Sequence, residues 1–259
     1  GKPLVVHVHA TSFDRSSDQN IDTRVYEIEK KGMEAADRVI TVSDLTRNIV
    51  ITKYGINPDK VVTVHNAVDF SGRSEMKVER GVDDKVVTFL GRITFQKGPE
   101  YFIEAAAKVL KRCPGVRFVM AGSGDMMNRS IRQVARLGIS DRFHFTGFLR
   151  GTDVQKMFAL SDVYVMPSVS EPFGISPLEA MRSGVPSVIS HQSGAAEVLK
   201  YAFKVDFWDV DAMADQIYAL LKYPALADFA SKYGYDEVNT LKWNNAAAKI
   251  KKVYESVIK

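Results

Sequence analysis

The sequence predicts an α/β protein built on parallel sheets, on three observations. Short β-branched runs alternate with amphipathic stretches at helical spacing almost throughout, the form that strand–helix–strand units take in sequence. A polar stretch over 66–84, rich in glycine and charge and lacking a periodic apolar face, divides this alternation into two series. No motif recurs at a solenoid-like period, so the alternation belongs to a layered fold.

The first series is short. Residues 4–9 read as a buried strand, 25–36 as a helix and 38–42 as a strand; Ser43 is placed to cap a helix over 44–54, and 60–65 form a further strand. After the polar stretch come a strand over 86–90, a helix over 98–112 with Pro99 in its first turn, and a strand over 116–121. A helix over 127–137, a strand over 143–146, a helix over 152–159 and a strand over 163–166 complete a Rossmann-like series. It continues through a helix over 177–182 and a strand over 187–190 to a helical region over 211–259, expected to break near Pro224 and Gly234. The expected division is therefore a partial unit over 1–66, a linker over 67–84 and a complete Rossmann-like unit over 85–259 with its C-terminal helices.

Composition narrows the function classes. The 259 residues are 46% apolar and 25% charged, enough for a sizeable core. With 35 Lys plus Arg against 31 Asp plus Glu, the net charge of +4 is too small and dispersed to argue for nucleic acid or an anionic membrane. Cys113 is the only cysteine and cannot form an internal disulfide, which fits a reducing compartment, with the cytoplasm expected. No apolar run approaches the roughly 20 residues of a membrane span. Residues 1–6 lack the form of a signal peptide and read as entry into a strand, so the natural start is expected further upstream.

Open parallel sheets bind ligands beyond the carboxyl ends of their strands, and two loops there carry chemistry. The loop Gly91-Arg92-Ile93-Thr94-Phe95-Gln96-Lys97-Gly98 sets two cations between glycines just before a helix. A helix N-terminus with an added guanidinium and ammonium suits a diphosphate, although a solvated basic connection reads equally well from the loop alone. The second run, Glu171-Pro172-Phe173-Gly174-Ile175-Ser176-Pro177-Leu178-Glu179, leaves one strand and opens a helix. Ser176, Pro177 and Glu179 fit Ncap, N1 and N3, so Glu179 has the bland reading of a capping-box carboxylate. Glu171 precedes a proline in the loop and has no helix to cap. The two carboxylates, eight positions apart, can face one crevice and accept hydrogen bonds from separate hydroxyls.

Together, the Arg-x4-Lys loop and the E-x7-E run containing Glu-Pro-Phe-Gly resemble the retaining GT-B glycosyltransferases that include the glycogen, sucrose and trehalose-type synthases. Similar stretches at 36–43, 66–69, 121–124, 145–148, 161–163 and 167–168 extend the resemblance over essentially the whole chain. It implies a GT-B-like architecture in which residues 1–66 match only the last part of an N-terminal domain. It also implies a nucleoside-diphosphate-sugar donor, a UDP-, ADP- or GDP-hexose, and a glycan or small-molecule acceptor, an α-glucan among the candidates.

By that resemblance Arg92 and Lys97 bind the diphosphate and neutralise its developing charge, with Gly91 admitting it closely. Glu179 holds the ribose, Glu171 contacts the hexose, and the N–H groups of Phe173, Gly174 and Ile175 add contacts to sugar or phosphate. Phe148 and Leu149 lie along the base. His9 corresponds to a histidine beside the transferred sugar. His7 and His9 share one face of a strand, which raises a zinc reading, but no third ligand completes a site, and a packed strand histidine reads as well for His9. No protein base is implied, no Asp-x-Asp motif follows a strand, and neither metal nor other cofactor is expected. A non-catalytic nucleotide-sugar-binding module, or a GT-B relative with other chemistry, is the alternative.

Overall fold

A computed structural model describes residues 1–15, 21–68, 78–79, 81 and 83–258. The stretch expected to link the two series, 67–84, lies for the most part outside the described residues.

The first series forms a parallel sheet of β1 (Val5–Val8), β2 (Arg38–Thr41) and β3 (Val61–Thr63), in the order β1-β2-β3. Between these strands run α1 (Ser12–Arg15), α2 (Thr23–Ala35) and α3 (Asp44–Thr52). Asp22 accepts from the N–H groups of Arg24 and Val25 and starts α2 two residues before its expected start. Ser43 accepts from Thr46 N at 3.0 Å, the cap expected from sequence.

The second series forms a six-stranded parallel sheet. In chain order it contains β4 (Lys85–Leu90), α4 (Pro99–Arg112), β5 (Val116–Ala121), α5 (Met127–Arg136), β6 (Phe143–Gly147), α6 (Thr152–Leu160) and β7 (Val163–Met166). It continues with α7 (Ser176–Arg182), β8 (Ser187–Ser190), α8 (Ala195–Val198), β9 (Phe203–Val205), α9 (Val210–Lys222), α10 (Pro224–Val238) and α11 (Trp243–Glu255). The strand order is β6-β5-β4-β7-β8-β9. The chain thus builds outward from β4 on one side, then returns to β7 and builds outward on the other, leaving a switch point between β4 and β7.

The core follows from side-chain period. Phe102, Ile103, Ala105, Ala106 and Val109 form the buried stripe of α4. Phe102 meets Phe89 and Phe118 from the sheet at ring-centroid distances of 5.7 Å each. Burying each phenyl stabilises by about 1.5–3 kcal/mol, so this aromatic layer fixes α4, and with it the loop that precedes α4.

Pro224 separates α9 from α10, as expected. Gly234 does not break α10, which runs on to Val238. A Cβ at this glycine would lie 2.7 Å from Met181 Cε, so the residue serves a close helix crossing with α7. Helix α11 returns to the first sheet, where Ala246 and Val253 pack with Ile40 and Val64. Among the described residues no helix is long and apolar enough to cross a membrane.

Candidate functional site

At the carboxyl edge of the larger sheet lies a cavity of about 470 Å³, on the β4 side of the switch point. Its floor is backbone. Gly91 N donates to Ala121 O at 3.0 Å, Ile93 N to Ser123 O at 2.9 Å and Gly122 N to Gly147 O at 2.8 Å, tying together the loops that leave β4, β5 and β6. Gly122 has φ +144°, and a Cβ there would stand 1.8 Å from Gly91 O, so only a bare α-carbon allows the loops to touch. Gly91, Arg92, Ser123, Phe148, Leu149 and Glu179 are among the lining residues.

Arg92 reaches the cavity on a fixed base. Its Nη2 donates to Oε1 of the buried Gln96 at 2.9 Å, and Gln96 O accepts from Val169 N at 2.9 Å, joining the loop after β4 to the loop after β7. Gly98 completes that junction with φ +61°, its Cα pressed so close to Pro167 that a Cβ would stand 2.1 Å from the carbonyl oxygen.

Lys97 and Glu171 form an ion pair with each other, and their side chains are 18% and 10% exposed. Neither belongs to the cavity wall, but the stem of Lys97 runs beside Gly91, where a Cβ would lie 3.8 Å from Lys97 Cδ. Glu171 is anchored at its backbone: its N–H donates to Gln192 O at 2.9 Å and its carbonyl accepts from Gly194 N at 3.0 Å. The cation and carboxylate singled out in sequence are therefore neighbours, already neutralising one another.

The turn at Gly174, φ +91°, leads into α7. Phe173 buries its ring in the core while Ile175 is exposed, so what this turn offers a ligand is backbone. Among the described residues, the N–H groups of Phe173, Gly174 and Ile175 have no intramolecular acceptor. The capping box expected for Ser176 and Glu179 is not formed. Ile175 is the N-cap, and Ser176 Oγ instead accepts from the phenol of Tyr164 at 2.7 Å. Glu179 is thereby left to the cavity. Burial raises its pKa above the usual carboxylate value, with the nearby Arg182 guanidinium acting in the opposite sense.

His9 is placed elsewhere. It is exposed and lines a separate hollow of about 250 Å³ at the end of β1 with His7, Thr11, Arg15 and Glu29. The two imidazoles do share a face, with ring centroids 4.3 Å apart. Burial, and then the neighbouring His9, lower the pKa of His7. The potential metal-ligand group found among the described residues is Asp44, His65 and Glu197, not the histidine pair. Glu197 is already engaged, accepting from Asp44 N at 2.8 Å, Leu45 N at 2.7 Å and pairing with His65 Nε2 at 2.7 Å.

Sequence reasoning did not single out Gly122, Ser123, Arg182 and Ser183 as lining residues, nor Gln96 as the support of Arg92. Arg182 and Ser183 carry a usable signal, lying one helical turn beyond Glu179. Gly122 and Ser123 lie at a strand's carboxyl end, which is another.

The family model described as glycosyl transferases group 1 matches residues 73–237. The chain belongs to this family. A glycosyltransferase family 4 model matches residues 1–71 of this group 1 glycosyltransferase chain. It is 34% identical over 212 residues to an uncharacterized glycosyltransferase of Methanocaldococcus jannaschii, covering 77% of this chain and 54% of the relative. It is 28% identical over 245 residues to the alpha-D-kanosaminyltransferase of Streptomyces kanamyceticus, covering 88% and 64% respectively. The chain thus spans roughly half to two thirds of these relatives. Among solved structures, Anabaena HepE in complex with UDP and glucose matches at TM-score 0.85 and 21% identity, covering 98% of this chain and 72% of that one. Sucrose-phosphate synthase of Thermosynechococcus elongatus matches at TM-score 0.82 and 22% identity, covering 97% and 67%. The fold is GT-B-like, as the sequence implied.

Proposed function

We propose that this chain is the donor-binding part of a retaining, metal-independent glycosyltransferase that moves a hexosyl group from a nucleoside-diphosphate sugar to a glycan or small-molecule acceptor. The observation that carries this reading is the cavity at the switch point, where Arg92 on its Gln96 support and the half-buried Glu179 share one wall set, with Lys97 and Glu171 adjoining.

The diphosphate lies against the bare backbone of Gly91 and Gly122, within reach of Arg92 and Lys97. These cations stabilise charge that grows on the leaving phosphate, an interaction stronger in the transition state than in the ground state. Glu179 accepts from the ribose hydroxyls, and Phe148 and Leu149 carry the base. Glu171 and the free N–H groups of the Gly174 turn hold the hexose. His9 approaches the hexose from the other sheet when the crevice is occupied. The departing phosphate oxygen takes the acceptor proton, so no protein base is assigned. UDP-hexose is the first donor to test, because HepE is described in complex with UDP, with UDP and glucose and with UDP-glucose. One group of relatives is named D-inositol 3-phosphate glycosyltransferase, which makes a polyhydroxylated acceptor the class to test first. A glycogen synthase-like choice of α-glucan is the narrower proposal. The division into a partial unit over 1–66, a linker over 67–84 and a donor unit over 85–259 belongs to the same reading.

Calorimetric titration with UDP, ADP and GDP tests the site: one of them binds in the micromolar to millimolar range and weakens in Arg92→Ala and Lys97→Ala. Equal binding by wild type and both variants refutes it. Acceptor-dependent nucleotide release separates an enzyme from a non-catalytic binding module.

A further inference from the structure

Asp14 is a carboxylate that neither the sequence motifs nor the donor site uses, yet it is only 2% exposed. A buried carboxylate persists when its lone pairs are satisfied, and here each partner is informative. Oδ2 accepts from Thr11 N at 2.7 Å and from Thr11 Oγ1 at 2.9 Å, closing the turn that leaves β1 two residues after His9. Oδ1 accepts from Ser170 Oγ at 2.8 Å. Ser170 lies in the loop that leaves β7 of the other sheet and immediately precedes Glu171.

One side chain therefore binds the segment that carries His9 to the segment that carries Glu171. A second cross-sheet fastening lies at Glu197, which accepts from the N-terminus of α3 and pairs with His65. Beside it Gly194 is so close to the first unit that a Cβ would stand 2.5 Å from Ser43 Cβ. The Glu197 contacts hold the N-terminus of α3, whereas the Asp14 contact holds the two loops that bear candidate reacting-site residues.

We propose that Asp14 is a positioning residue: through Ser170 it sets the separation of the His9 and Glu171 segments, and so the placement of an acceptor against the bound donor. This rests on the donor-site reading above. The cavity with Arg92 and Glu179 is built wholly from the larger sheet and its helices, so loosening Asp14 leaves nucleotide affinity alone and acts on transfer. Misplacing a reacting group by about 1 Å can cost on the order of a hundredfold in rate, and a hydrogen bond to a charged group is strong enough to hold such a placement.

The test uses Ser170→Ala, which removes the cross-sheet bond and keeps the Asp14–Thr11 turn, with Ser170→Thr retaining the hydroxyl. In Ser170→Ala we expect kcat for transfer to fall roughly tenfold, UDP affinity by calorimetry to stay within twofold, and the melting temperature to hold; Ser170→Thr restores most of the rate. Spin labels at Lys31→Cys and Lys111→Cys, in a Cys113→Ser background, report the separation of the two sheets without requiring turnover. We expect their distance distribution to broaden in Ser170→Ala. An unchanged distribution, or a fall in UDP affinity parallel to the fall in rate, overturns the positioning role. Absence of nucleotide binding in the wild type overturns the donor-site reading instead, and the label distances still decide whether Asp14 fastens the sheets.

Discussion

Replacing Glu171 by glutamine separates two roles of one carboxylate. Glu171 pairs with Lys97, with the two side chains 10% and 18% exposed. Removing one partner of a fully buried pair costs about 3–5 kcal/mol. Here both side chains keep some solvent exposure and the amide still offers Lys97 an acceptor, so the loss is about 1–2 kcal/mol. For a chain of this size each kcal/mol shifts the melting temperature by about 2–4 °C, giving a fall of about 2–8 °C by calorimetry. The effect on UDP has the opposite sign. UDP lacks the hexose that Glu171 is assigned to hold, and it no longer competes with a carboxylate for Lys97. Two charges 4 Å apart interact by about 1 kcal/mol even in water, so UDP binding should tighten about fivefold at low ionic strength, and less in high salt. Pyrophosphate, with no base to bind, should gain equally. A melting temperature within 1 °C of wild type together with unchanged or weaker UDP binding would refute the reasoning.

Three further outcomes follow from named contacts. Gly98→Ala combines a positive φ with a Cβ 2.1 Å from Pro167 O; it should lose about 3 kcal/mol in denaturant unfolding and weaken UDP binding as the Arg92 loop shifts. Gly234→Ala places its methyl against the mobile end of Met181, 2.7 Å from Cε; helix propensity of about 1 kcal/mol offsets the crowding, so the melting temperature should stay within about 2 °C. Glu179 has a folded-state pKa raised above 4.5, chiefly by burial. The folded state therefore binds its proton more tightly than the unfolded state, and that contribution to stability, present at low pH, is lost as pH rises through the raised value. In the proposed site the ionised carboxylate accepts from the ribose hydroxyls, so UDP binding should strengthen over the same interval, and Glu179→Gln should flatten that rise in calorimetric titrations.

Most of the fold was legible because its elements carry their own period. Val86, Val87, Thr88 and Phe89 are all buried in β4, and the apolar stripe of α4 is complete within its own residues. The short elements α1, α8 and β9 lack the unbroken runs of β-branched and aromatic residues that mark β2, β7 and β8, and appear only through their neighbours. Gly234 was misread for a related reason: a glycine that breaks a helix and one that admits a methionine look alike until the partner helix is present. That Arg92 and Glu179 would face one cavity was legible from loop position and residue type. The pairing of Lys97 with Glu171 was not, since 74 positions separate them. Nor was the use of Ser176 by Tyr164, where a local pattern fitted a cap and a distant phenol took the hydroxyl.

Helix α11 has a practical consequence. Ala246 and Val253 shield Ile40 and Val64, so α11 completes the hydrophobic interior of the three-stranded sheet from far along the chain. Removing α11 would therefore expose Ile40 and Val64, and a fragment limited to the three-stranded layer would go into solution with that face uncovered. A synthesising ribosome faces the same order of events: β1 to β3 leave it well before the helix that covers them.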